Sequence, residues 1–255
     1  MTRAPLPIPW LEPGDNFPAT SQAWPTHSDA PGLLAAGSEL QVQTLLNAYS
    51  QGIFPWFSDG QPILWWSPDP RMVLQTQKFK LHDSLRKTVK KFRNSPACEI
   101  RIDSAFPDVI RACANSPRRG QPGTWIVPQM QAAYAALHRA GFAHSIETWI
   151  DGELVGGLYC VIIGHAVFGE SMFARQTDAS KIALCALVAL CRANSIAAID
   201  CQQNTPHLAS LGATELPREE FLRIVRGACN LGAVDWQFTP LYWQLILEKT
   251  TAACD

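Results

Sequence analysis

The stretch AHSIETWIDGELVGGLYCVIIGHAVFGESMF, residues 143–173, limits the possible folds more than any other part of the chain. Asp151-Gly152 separates two β-rich runs, and a two-residue hairpin turn needs the positive φ that Asp and Gly tolerate. Gly164-His165 reads as a second turn, so the stretch predicts three antiparallel strands in a meander. DASKIALCALVALCRANS (178–195) is apolar nearly all round, the pattern of a buried helix, and IAAIDCQ (196–202) reads as a strand emerging from it. Upstream, PQMQAAYAALHRAG predicts a helix ending at Gly141. Helix, three strands, helix and strand in this order imply an α+β or mixed α/β layer.

A chain of 255 residues makes one large domain, or a small one joined to a larger one. Its hydrophobic content of 47% and charged content of 17% are ordinary for a globular protein. The first residues lack an apolar signal core, and the longest apolar run, IALCALVALC (182–191), is too short to span a bilayer. The expected location is the cytoplasm, with no membrane partner. Eight cysteines without a CxxC pair read as reduced core residues, and six histidines without ligand spacing give no metal site. With no GxxxxGK[ST] and no GxGxxG, no nucleotide cofactor is expected. If the protein builds a bond, its activated group must arrive already activated.

Residues 1–32 read as an irregular surface arm, followed by a short amphipathic helix over 38–52, capped by Ser38 and stopped by Gly52. The segment YSQGIFPWFSDGQPILWWSPDPR (49–71) then holds Trp56, Trp65 and Trp66 in a stretch too broken by Pro and Gly for a helix. Such rings suit either a stacking platform for bases or an apolar plug between two domains. From Arg71 to Arg93 eight Lys or Arg face one acid, Asp83, so a near-neutral total hides a basic face. That face is a solvated helix surface or a phosphate-binding one.

Strand alternation in IDCQ turns Asp200 and Gln202 one way and Cys201 the other. FGESMF sets Glu170 beside Met172 on one face, with Gly169 allowing close backbone approach. Either acid could be functional or structural, since an enclosed carboxylate is usually paired or put to use. A Cys201 thiol nucleophile is a weaker reading, because alternation turns it away from Asp200.

GIFPWFSDGQPILWWSPDPR, GTWI (123–126), AHSIETW, ELVGGLYC, GESMF, ASKIAL, and IDCQ with HLASLGA resemble the leucyl/phenylalanyl-tRNA–protein transferase family. The blocks occur in family order from about Gly32 to Gly212. The resemblance implies an α+β fold in which a small N-terminal domain (1–69) packs on an acetyltransferase-like, GNAT-like domain (70–255). It implies an enzyme that moves Leu or Phe from Leu-tRNA or Phe-tRNA to the N-terminal Lys or Arg of a protein, creating a degradation signal. No cofactor is implied, and a monomer is expected. By motif, Trp56 and Trp125 match the rings that hold the terminal adenosine, while Leu158, Leu184, Leu187 and Ile199 match the amino-acid pocket. Glu170, Asp200 and Gln202 match the residues around the ester and the amine. The expected roles are proton removal by Asp200, orientation by Gln202, and attraction of a cationic acceptor by Glu170. Arg86, Lys87, Lys90 and Lys91 are the expected tRNA phosphate contacts. The chain departs from the family in LLAAGSEL (33–40), where LLALGGDL is common, and in smaller pocket residues, Leu187 and Cys191. A non-catalytic tRNA- or peptide-binding module, or a transferase acting on a cell-wall precursor or small amine, are the alternative readings.

Overall fold

A computed structural model describes residues 7–116 and 126–248. The N-terminal part carries β1 (Trp10–Leu11), β2 (Leu33–Gly37), helix α1 (Val42–Ser50), β3 (Phe54–Pro55) and β4 (Leu64–Trp66). These strands form one sheet in the order β1-β2-β4-β3, with β1 parallel to β2. The arm is therefore not wholly irregular, and Leu11 and Phe17 are buried in the core. A two-residue strand has no periodicity by which to announce itself. Helix α1 starts later than expected, because Ser38 does not cap it. Ser38 takes a left-handed φ of 64° and donates its backbone N–H to Leu11 O at 2.6 Å, closing the β1–β2 edge.

The remaining chain carries β5 (Arg71–Gln75), α2 (Asp83–Asn94), β6 (Cys98–Ile102), α3 (Phe106–Ala114) and α4 (Pro128–Arg139). The meander follows as β7 (Ala143–Ile150), β8 (Glu153–Ile163) and β9 (Ala166–Ala174). Then come α5 (Ala179–Ala193), β10 (Ala198–Asp200), α6 (Pro206–Ser210), β11 (Thr214–Leu216), α7 (Arg218–Cys229) and α8 (Gln244–Leu247). Among the described residues seven strands make the larger sheet, ordered β11-β5-β10-β9-β8-β7-β6. The β7–β8 and β8–β9 pairs are antiparallel, and β10 runs parallel to β9 after the crossover through α5. The elements make an α+β arrangement, as the resemblance implied, with a small sheet packed against a large one.

Helix α5 lies across the sheet with Ile182 through Cys191 all buried, which explains its lack of a polar face. Gly156 of β8 permits the approach, since a Cβ there would sit 2.5 Å from that of Ala179. On the opposite face α3 begins at Ala105, which supplies no capping side chain. Glu147 of β7 takes that part. Its buried carboxylate accepts from Ala105 N at 2.8 Å, Ser145 Oγ at 2.7 Å, Trp149 Nε1 at 2.9 Å and the Ser104 hydroxyl. Negative charge at a helix N-terminus is favourable, and a buried carboxylate with four donors is fully compensated. One apolar cluster joins the two sheets, running from Leu45 and Tyr49 of α1 to Tyr134 of α4 and Phe168 of β9.

Candidate active site

Strand β9 contains the first functional irregularity. Gly169 is opposite Cys160 and Ser171 is opposite Tyr159, so Glu170 is the extra residue of a β-bulge. Bulges re-aim side chains, and this one turns Glu170 into a cavity of ≈ 430 Å³ between the end of β10 and helix α5. Leu158, Met172, Leu184, Leu187 and Ile199 supply the apolar wall, and four of these, all but Met172, are the residues that the resemblance matched to an amino-acid pocket. Glu170, Gln202, Thr205 and His207 supply polar groups.

Two buried tyrosines hold Glu170. Tyr49 of α1 contacts Glu170 Oε1 at 2.8 Å, Tyr134 of α4 contacts Oε2 at 2.9 Å, and the two hydroxyls are 2.6 Å apart. Each hydroxyl donates to one carboxylate oxygen, and burial raises both tyrosines well above the ordinary tyrosine range, so they keep their protons. Desolvation raises Glu170 to about 7, and the neighbouring Asp200 carboxylate adds to the rise, against the lowering effect of the two tyrosine hydrogen bonds and of Arg71.

Strand β10 sorts its side chains as alternation requires, up to its last residue. Ile199 and Cys201 face the large cavity, while Ala198 and Asp200 line a smaller one of ≈ 270 Å³ on the other side. Gln202 departs from the expectation that it would share a face with Asp200. The strand ends at Asp200, Gln202 adopts φ 54°, and its side chain joins Cys201 on the large cavity. Gln202 Nε2 lies 3.4 Å from Glu170 Oε1, a long contact that leaves the amide able to turn elsewhere.

Asp200 is buried and fully engaged. Arg71 Nε donates to Oδ1 at 2.8 Å and Nη2 to Oδ2 at 2.7 Å, a bidentate pair with both side chains at most 2% exposed. Oδ1 also accepts the Gln202 backbone N–H at 2.9 Å, which fixes the left-handed turn. Arg71, Tyr49 and Tyr134 are the site residues that sequence reasoning missed. In the sequence Arg71 stands out only as one member of a basic run. A sharper signal exists, since a charged residue opening the apolar strand RMVLQ needs a buried acid somewhere. Cys201 is half-buried and its thiol is pushed up to about 12 by burial first and by Asp200 second, which removes it as a nucleophile.

The aromatic segment divides. Trp65 is wholly buried, donates Nε1–H to Gly37 O at 3.0 Å and meets Phe17 edge-on at 4.8 Å, so it is core. Trp66 donates to Trp56 O at 2.7 Å, and the two rings sit 5.5 Å apart. Trp56 is half-buried and does not line the large cavity; Trp125 lies outside the described residues. In α2, Leu85, Val89 and Phe92 face the core, leaving Lys87, Lys90 and Lys91 exposed. Arg86 is different, because its Nη1 donates to Leu247 O at 2.6 Å and so fastens the C-terminal segment.

The profile of the Leucyl/phenylalanyl-tRNA protein transferase family matches residues 73–226, and that of the family's N-terminal domain matches residues 38–69. A leucyl/phenylalanyl-tRNA–protein transferase from Polaromonas sp. is 64% identical over 253 residues, covering 98% of this chain and 99% of the relative. One from Albidiferax ferrireducens is 61% identical, covering 97% of each. Among solved structures a GCN5-related N-acetyltransferase from Kribbella flavida is a distant likeness, with TM-score 0.30 and 9% identity over 67% of this chain and 59% of that one. At that distance the sequence relationship alone carries the assignment. This chain belongs to the leucyl/phenylalanyl-tRNA–protein transferase family, whose activity is aminoacyl transfer from tRNA to protein.

Proposed function

We propose that this enzyme transfers Leu or Phe from its aminoacyl-tRNA to the α-amine of an N-terminal Lys or Arg, acting as a cytoplasmic monomer of two domains, 1–69 and 70–255. The observation that carries the reading is the cavity itself, with an apolar wall sized for a branched or aromatic side chain and Glu170 and Gln202 beside it. The donor ester is already activated, so holding ester and amine in line supplies much of the acceleration, up to ~7–11 kcal/mol. As the amine attacks, a C–N bond forms, the ester C–O bond breaks, and the ribose oxygen leaves with a proton. We assign proton removal to Glu170 rather than Asp200. A group near neutrality suits this task, whereas both Asp200 oxygens are already held by Arg71. Gln202 orients the reacting carbonyl through its amide, and Asp200 keeps Gln202 in place. Trp56 and Trp125 serve as stacking rings for the terminal adenosine. A donor panel tests the assignment: Leu-tRNA and Phe-tRNA should be consumed, Ala-tRNA and Lys-tRNA left, and equal use of all four would refute it.

Leu158 lies in the pocket wall, so Leu158→Phe should reject the bulkier donor first. Transfer of Phe is expected to fall roughly 10- to 200-fold more than transfer of Leu at subsaturating donor, the range for one misfitted group. Equal losses for both donors would remove Leu158 from the selecting wall.

The exposed Lys87, Lys90 and Lys91 are proposed to meet tRNA phosphates, with Arg86 contributing charge while it holds Leu247. Lys90→Ala with Lys91→Ala should lower the slope of log affinity against log salt by roughly 1 to 2, about one counterion for each phosphate no longer neutralised. An unchanged slope would return α2 to the status of a solvated face.

A further inference from the structure

Arg71 has no part in the transfer chemistry proposed above, yet its buried guanidinium is held by hydrogen bonds at its edge and by rings on both faces. Its guanidinium makes the two bonds to Asp200 and a third from Nη1 to Gly52 O at 3.2 Å. Its two faces are covered by the rings of Phe54, at 4.7 Å, and Phe221, at 4.6 Å. Gly52 and Phe54 follow α1, Asp200 ends β10, and Phe221 belongs to α7. Only a planar fork with two stacking faces meets all these demands, and a lysine ammonium does not.

The contacts continue beyond Arg71. Asp200 accepts the Gln202 N–H, the Gln202 amide faces Glu170, and Glu170 returns through Tyr49 to α1, three residues before Gly52. The circuit Gly52–Arg71–Asp200–Gln202–Glu170–Tyr49 thus begins and ends at the same end of one helix. A buried ion pair is a poor source of stability, because well-packed apolar residues often replace it without loss. What it fixes is direction.

We propose that Arg71 is a positioning residue of the transfer reaction, acting through Asp200 on Gln202, and that the N-terminal domain completes the active site through Gly52 and Tyr49. This rests on the reading that Gln202 and Glu170 handle the ester and the amine.

The test compares Arg71→Lys, Arg71→Met, Asp200→Leu and the double variant Arg71→Met/Asp200→Leu, with Phe-tRNA as donor and a peptide beginning with Arg as acceptor. Arg71→Lys should lower kcat about 100-fold, as expected for a misplacement near 1 Å, with KM for Phe-tRNA changed less than about threefold. The double variant removes both charges, so it should melt near the wild type while losing no more kcat than Arg71→Met alone. Multiplying losses, or wild-type kcat in the folded double variant, would overturn the proposal. If the wild type itself fails to extend the peptide, the functional reading fails instead, and the two results cannot be confused.

Discussion

Glu170→Gln is expected to lower the turnover rate by roughly 10² to 10⁴, the contribution usual for a positioned general base. The pH profile carries the sharper signature. On the proposed mechanism two protons must be absent for reaction in the wild type, one from Glu170, raised to about 7, and one from the acceptor amine, near 8 in a free α-amine. Below about pH 6.5 the logarithm of kcat/KM should therefore climb with a slope approaching two, and in Glu170→Gln with a slope of one. Stability moves the other way. A carboxyl raised on folding stabilises the fold while protonated, and that contribution is lost as pH climbs from the unfolded value toward 7. The neutral glutamine escapes this loss, so the variant should melt no lower than the wild type at pH 8. A slope of two surviving in the variant would assign the proton elsewhere.

Asp200→Asn should show a different loss, in folding rather than in pH dependence. It strips the charge from the partner of a guanidinium that is 1% exposed and leaves the Arg71 cation buried without its counter-ion. Breaking a buried pair in this way costs about 3 to 5 kcal/mol, which for a chain of this size lowers Tm by roughly 6 to 20 °C. In the fraction that remains folded the asparagine Oδ1 can still accept the Gln202 N–H, so turnover should fall less than in Glu170→Gln, and the slope of two at low pH is retained because Glu170 is intact. A variant with wild-type Tm would mean that Arg71 finds another partner.

Local signals made part of this fold legible in the sequence. The meander and α5 were legible because β-rich runs on either side of the Asp151-Gly152 turn and an apolar run long enough for a buried helix are short-range patterns. Leu158, Leu184, Leu187 and Ile199 line one cavity, and the resemblance, not any local pattern, grouped them in the sequence. Gln202 was misplaced for a definite reason. Alternation holds only while the backbone stays extended, and one left-handed residue after Asp200 ends it. Ser38 failed as a cap for the same cause. Arg71, Tyr49 and Tyr134 were illegible because their meaning is a partnership across the fold. Tyr49 meets a residue 121 positions away and Arg71 one 129 away, and no periodicity encodes such distances.

Transfer to an N-terminal α-amine can be read by mass spectrometry of three peptides, each incubated with the pure protein and Phe-tRNA. One begins with Arg, the second is the same peptide acetylated at its α-amine, and the third begins with Ala. The Arg peptide should gain a single phenylalanine at its N-terminus, and the other two should remain unchanged. Extension of the Ala peptide at the same rate, or hydrolysis of Phe-tRNA with no extended Arg peptide, would contradict the proposed function.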